Sequence, residues 1–300
     1  MKSITMRNHS KASILAIASA VVVTVVVMAM KPIAGQAPAA QRSTVADFPA
    51  GYKAPRMADG KPDLNGVWEA FTTADWDIQD HPAAPGPHSA VMGVYGAQPA
   101  GLGIVEGNEI PYQPWALAKK KENFEKRMTA DPFHLDIGDP GAKCYMAGVP
   151  RATYEPFPFH IIQSTSNILI GYEYADVGRI IHLDKMPPPP IDSWMGQSVG
   201  HFEGDTLVVT VTGFNDRSWF DRAGNFHSDA LTVTERYTPA SPYHLLYEAT
   251  IEDPKVFTRP WKISFPLYRR MEKNTEILEF RCVEFAEEFI YGSLRRQVNK

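Results

Sequence analysis

The chain has 300 residues, of which 44% are hydrophobic and 21% charged, with a formal net charge of −4. That apolar content can bury a sizeable core. The weak acidic balance, with no lysine/arginine cluster beyond the first residues, excludes the electrostatic footprint of a protein that binds nucleic acid or an anionic membrane.

Residues 1–39 read as an export signal. Lys2, Arg7 and Lys11 form a basic start, Ala12 to Met30 is a run of small and apolar residues, and Ala37-Pro38-Ala39 supplies an A-x-A cleavage pattern. The predicted location is the periplasm or the exterior. The apolar run is also close to the length that spans a bilayer, so an uncleaved anchor is the alternative, and a membrane would then be met only through this segment. No cysteine precedes Cys144, which excludes a lipid-modified cysteine after the signal. An oxidising compartment leaves one intramolecular pairing, Cys144 with Cys282. Residues 40–58, rich in Ala, Pro and polar groups, form a tether, and 59–300 are expected to be a single domain.

The ordered part starts with a turn at Asp59-Gly60-Lys61-Pro62-Asp63, followed by a short strand from Leu64 to Phe71 that carries Gly66-x-Trp68. In lipocalin-like barrels a Gly-x-Trp on the first strand closes one end, its indole packed under an arginine from the last strand. Arg281 is the expected arginine. From Thr72 to Pro114 the chain is irregular and dense in Gly, Pro and Ala, a long excursion that wraps the barrel and covers its mouth. His81 and His88 lie in it at a spacing that fits no closed metal motif, so no metal is expected. Trp115 to Met128 is a helix, with Pro114 at its start and Leu117, Lys121, Phe124 and Met128 along one face. Asp131 to Pro150 is a connecting loop.

Strands then follow closely: Phe159–Thr165, Ile168–Tyr174 and Val177–Leu183, a break at Pro187–Pro190, then Val199–Phe202, Thr206–Thr212, Ala230–Thr238, His244–Glu252, Trp261–Tyr268 and Glu276–Val283. Glu203-Gly204-Asp205 turns one hairpin, and Glu284–Tyr291 forms a short terminal helix. The pattern predicts an all-β fold, an antiparallel meander closing into a lipocalin-like barrel or a strongly curled sheet.

The segments Asp59-Gly-Lys-Pro-Asp-Leu-Asn-Gly-Val-Trp68, Val105 to Trp115, Cys144 to Tyr154, Trp194-Met-Gly196, Glu203-Gly-Asp-Thr-Leu-Val-Val209 and Thr250-Ile-Glu-Asp-Pro254 resemble those of a bacterial family of exported proteins with no assigned activity. The resemblance covers nearly the whole mature chain. It implies a compartment and a domain extent, and it implies no catalytic residue.

No nucleophile elbow, P-loop, dinucleotide-binding glycine pattern or haem-attachment motif is present, so no cofactor is expected. Alternation puts Leu231, Val233, Glu235 and Tyr237 on one face of their strand, and Leu245, Tyr247, Ala249, Ile251 and Asp253 on one face of the next. A carboxylate on an apolar face needs a partner or has a raised pKa. Glu235 is therefore a candidate acid/base beside Tyr247 or Asp253, or else a structural bridge to an arginine. His227 ends the polar loop Phe214–Ser228 near Asp216, Asp221 and Asp229, so it is either a proton-transfer group at the rim or a histidine that caps loop carbonyls. Arg151, Tyr154, His160, Asp192 and Trp194, together with Tyr237 and Tyr247, are the candidate ligand-binding residues, converging on one barrel end. The expected function is a cofactor-free lyase or isomerase acting on a small, partly apolar molecule in the barrel, with His227, Glu235 and Asp253 as its catalytic residues. The alternatives are a periplasmic small-molecule-binding protein or a structural subunit of an envelope assembly.

Overall fold

The computed structural model describes residues 48, 51–86, 96–127, 137–280 and 282. The segments expected as a signal and, for the most part, as a tether, together with His88, Arg281 and the predicted helix at 284–291, lie outside them. No helix among the described residues is long and apolar enough to cross a membrane.

The β-branched and aromatic runs form the expected strands. In chain order these are β1 (Gly66–Ala70), the short β2 (Ala84–Pro85) and β3 (Ala97–Gln98), β4 (Phe159–Gln163), β5 (Asn167–Tyr172), β6 (Val177–His182), β7 (Gln197–Glu203), β8 (Thr206–Thr212), β9 (Thr232–Ser241), β10 (His244–Glu252) and β11 (Trp261–Arg269). Nine of these described strands close into a barrel in the order β1-β11-β10-β9-β8-β7-β6-β5-β4, with β2 and β3 paired separately. The fold is the all-β, lipocalin-like barrel read from the sequence.

Two features depart from a simple meander. The first is that β6 and β7 pair in parallel, through Ile181↔Ser198 and His182↔Val199. The proline run at Pro187–Pro190 forces this step, because it cannot make a tight turn and carries the chain across the barrel end before β7 starts. The second is that the segment expected as a strand from Glu276 forms none among its described residues; β11 is the last barrel strand. Closure falls to β1, which pairs with β11 through Trp68↔Arg269 and with β4 through Trp68↔Phe159. The arginine over the indole is accordingly Arg269, with its guanidinium carbon 4.2 Å from the Trp68 ring centre. Gly66 makes room for it: its φ is +136°, and a Cβ there would lie 2.3 Å from Arg269 Nη1.

The excursion after β1 is ordered in its described parts and packs along β11. Val105 bridges Ile263, the Ser264 amide donates to the Ile104 carbonyl at 3.0 Å, and Ile78, Ile104 and Val105 join the core. Helix α1 (Pro114–Lys126) starts at the predicted proline but docks on a different face: its buried residues are Ala116 and Asn123, while Leu117 and Phe124 are exposed. The cause is Gly224, which Asn123 approaches so closely that a Cβ on Gly224 would lie 2.6 Å from it. The exposed Phe124 ring carries the Arg127 guanidinium on it, 3.7 Å from the ring centre.

The barrel interior is filled. Ring centres run from Tyr237 to Tyr247 at 5.0 Å, to Phe265 at 4.9 Å and to Tyr154 at 5.9 Å, with Phe159 against Tyr172 at 5.5 Å. All these side chains are buried. They form a packed core of the kind small barrels build from their inward residues.

Candidate functional site

Glu235 points inward from β9, as the alternation requires, and is fully buried. Its carboxylate receives both Nη groups of Arg179 from β6, Nη1 at 3.2 Å, and the hydroxyls of Tyr237 and Tyr247 at 3.0 and 2.9 Å. Arg179 spends its Nε on Ser198 Oγ at 2.8 Å. Burial opposes the guanidinium charge, but the facing Glu235 carboxylate overrides it and holds Arg179 well above its ordinary pKa. With four donors on one carboxylate, this is a satisfied ion pair inside a core. Tyr237 and Tyr247 are its hydrogen-bond donors. Asp253 is elsewhere: it caps the turn after β10, accepting from Ser228 Oγ at 2.9 Å, from the Ser228 amide at 2.6 Å and from the Lys255 amide at 3.0 Å. The expected neighbourhood of Glu235 with Asp253 does not exist. Strand twist and length put residues 235 and 253 at different heights, since Glu235 pairs with Ala249.

His227 is buried at the end of the polar loop, between Phe214 and Phe220 with ring centres 5.8 and 5.4 Å away. Its Nδ1 lies 2.9 Å from the Ser228 carbonyl oxygen, which can only accept, so Nδ1 carries the proton. Nε2 is then a lone pair facing Ser218 Oγ at 2.7 Å, and the Ser218 hydroxyl donates to it. Burial holds the imidazole below the ordinary histidine pKa, against the Ser228 carbonyl, Asp253 and Asp216, which favour the cation. A neutral imidazole with its tautomer fixed and its free nitrogen on a hydroxyl is the geometry of a base and its nucleophile.

A second polar constellation is built on Arg151, which follows the cis Val149–Pro150 bond in a short 3-10 turn (Arg151–Thr153). Arg151 is buried and donates to Asp75 through Nε at 2.9 Å and Nη2 at 2.8 Å, and to Asp139 through Nη1 at 2.7 Å and Nη2 at 2.9 Å. Arg222 adds a bond to Asp75 at 3.0 Å. The Asp75 carboxyl resists burial through these two guanidiniums and stays below the usual carboxylate range. Glu155 lies one helical turn from Arg151, at 3.6 Å from its Nε, too far for a hydrogen bond to a group already saturated by two aspartates. Burial therefore wins, with Asp75 adding to it, and the Glu155 pKa is pushed up to about 8. Its Oε2 is buried with no hydrogen-bond partner among the described residues. Glu155 lines a cavity of about 10 Å³ together with Ala147, Ala152, Tyr172, Tyr174, Val177 and Met195.

Of the remaining candidates, Tyr154 is buried and donates its hydroxyl to the Phe220 carbonyl at 2.7 Å, tying the Arg151 segment to the polar loop. Trp194 stacks on Tyr145 at 5.2 Å. Asp192 is exposed, and His160 points outward from β4, half-buried, so neither joins the others. His160 follows from alternation, because the buried Phe159 and Ile161 take the inner face. His81 donates from Nδ1 to the Gln79 carbonyl at 2.8 Å and keeps a buried Nε2 with no hydrogen-bond partner among the described residues, where no group of three metal-binding side chains converges. Cys144 and Cys282 are disulfide-bonded with Cα atoms 5.4 Å apart; the bond ties the loop before β4 to the tail beyond β11. Sequence reasoning missed Ser218, Asp139 and Glu155. Ser218 stands in the singled-out polar loop, and Glu155 stands four residues after Arg151, but nothing in a proline-rich loop signals burial.

No family model, curated protein or solved structure matches the chain.

Proposed function

We propose that the chain is an exported, cofactor-independent acid/base catalyst acting on a small, partly apolar molecule at the end of its barrel. His227 is the base and Ser218 the hydroxyl it deprotonates. The 2.7 Å contact between Ser218 Oγ and His227 Nε2, with the tautomer fixed from the other side, carries this reading. Glu235 and Asp253 leave the reacting set, because their oxygens are spent on Arg179, two tyrosines and the turn amides. Export is supported by the signal-like residues 1–39, by the resemblance to exported proteins and by the disulfide.

The second reading, binding without turnover, is favoured by one observation: Ser218 is 3% and His227 2% exposed, and Gly148 packs so closely on Ser218 that a Cβ there would lie 2.5 Å from its Oγ. An organofluorophosphonate probe separates the two without knowledge of the substrate. Acid/base activation predicts an adduct on Ser218, located by mass spectrometry, whose rate of formation falls by about 10²–10⁴-fold in His227→Gln. Absence of any adduct on Ser218 in the folded wild type would leave the binding reading in its place.

A further inference from the structure

The cavity beside Glu155 lies against the barrel residues Tyr172 and Val177 and is lined by neither Ser218 nor His227. We propose that it is a binding site for a small cation bearing N–H donors, namely ammonium or the –NH3+ head of a primary amine. The first support is an unpartnered acceptor. Glu155 is 4% exposed, lines the cavity, and leaves Oε2 without a hydrogen-bond partner among the described residues. A buried carboxyl oxygen left in that state is costly unless something donates to it.

Charge supports a cation. After burial, the charged groups that act most on Glu155 are Asp75, Arg151, Arg222 and Asp139. Within this set the two aspartates offset the two guanidiniums, and an ionised Glu155 adds a negative charge. Arg151 lies 3.6 Å from Glu155 Oε1 but makes its hydrogen bonds to Asp75 and Asp139 at 2.7–2.9 Å, leaving Oε2 without a donor. Tyr174 faces the same space but has donated its hydroxyl to the Gly141 carbonyl, and the neighbouring Tyr154 hydroxyl is on Phe220. Glu155 therefore has two stable states, a protonated acid or a carboxylate with an external cation, and its pKa near 8 keeps the proton on when the cation is absent.

Size and lining select the cation. About 10 Å³ is the room of a single water, which ammonium matches. Tyr172 and Tyr174 bring aromatic side chains to the cavity, a residue type that favours ammonium groups, and the side chains of Ala147, Ala152, Val177 and Met195 carry no oxygen. A bare alkali ion, which needs several oxygens around it, is poorly served. The unpartnered Oε2 gives one N–H of such a cation its acceptor, and Tyr172 and Tyr174 line the space beside it.

The test uses the full mature protein. Its Tm is measured in ammonium, methylammonium, potassium and tetramethylammonium chlorides at equal ionic strength, for wild type and Glu155→Gln. The expected result is a concentration-dependent rise with ammonium, absent with potassium and with tetramethylammonium, and abolished in Glu155→Gln. A rise with methylammonium as well assigns the site to the head of an amine; its restriction to ammonium assigns it to the free ion. Calorimetry of the wild type at pH 7 in buffers of different ionisation enthalpy should find about 0.9 proton released per cation bound, decreasing as pH passes 8, because the bound cation displaces the Glu155 proton. Equal responses to ammonium and potassium, or an undiminished ammonium response in Glu155→Gln, would overturn the proposal. If Glu155→Gln fails to fold, the wild-type calorimetry decides, and binding without proton release would overturn it.

Discussion

Replacing Glu235 by Gln tests whether the ion pair at the centre of the barrel is structural. The amide keeps the size and one acceptor oxygen but removes the charge, and Arg179, 3% exposed, otherwise keeps only Ser198 Oγ at 2.8 Å and Tyr172 Oη at 3.5 Å. An uncompensated buried guanidinium costs about 3–5 kcal/mol. For a domain of this size each kcal/mol lowers Tm by about 2–4 °C, so the expected fall is roughly 6–20 °C. The assay is thermal unfolding followed by circular dichroism at neutral pH, beside probe reactivity per folded molecule at Ser218. Replacing both partners, Arg179→Met with Glu235→Leu, removes the stranded charge and should recover part of the loss, the hydroxyls of Tyr237 and Tyr247 still lacking their acceptor. A fall of less than about 2 °C in Glu235→Gln, or loss of Ser218 reactivity with unchanged Tm, would refute the structural assignment.

Two further outcomes follow from particular residues. Gly66→Ala forces a side chain into a φ of +136° and against the Arg269 guanidinium, so it should cost about 1–3 kcal/mol from the backbone alone, with up to about 2 more if Arg269 leaves the Trp68 ring; a denaturant midpoint unchanged from wild type would remove Gly66 from the closure. Glu155 fixes a pH dependence: its pKa is raised from 4.5 to about 8 by folding, so between those values the unfolded chain has released a proton the folded chain keeps. Its contribution is full below pH 4.5 and is lost as pH rises towards 8, at up to about 1.4 kcal/mol per unit. Urea midpoints from pH 5 to 9 should therefore fall less steeply in Glu155→Gln, and parallel curves would contradict the buried acid.

The barrel was legible because its signals are local. Alternation in β9 and β10 placed Glu235, Tyr237 and Tyr247 inward, the Gly66-x-Trp68 pattern marked the closing strand, and two cysteines left one pairing. Three things were not legible, each for a physical reason. The arginine over Trp68 was assigned to the wrong residue because Glu276 onward has strand-like residues but lies after the ring of strands has closed. The face of α1 was misjudged because Asn123 is buried by a partner distant in sequence, donating to the Gly224 carbonyl at 3.2 Å. The role of Asp253 was misjudged because periodicity gives the face of a strand and not the height along the barrel.

The parallel step explains why a buried ion pair is kept where an apolar core would do. Most neighbouring strands of the barrel are joined by long antiparallel ladders, whereas β6 and β7 share only the pairs at Ile181 and His182. A seam of two pairs contributes few backbone hydrogen bonds of its own. Arg179 lies on β6 two residues before it, and its three nitrogens reach Ser198 on β7 through Nε and Glu235 on β9 through both Nη groups. A slip of one residue would turn Arg179 to the outer face and strand Glu235 in the core. The pair thus penalises the wrong register far more than it stabilises the right one, which is the best-attested use of buried charge. With the interior committed to that task, Ser218, His227 and Glu155 all stand in segments outside the barrel strands.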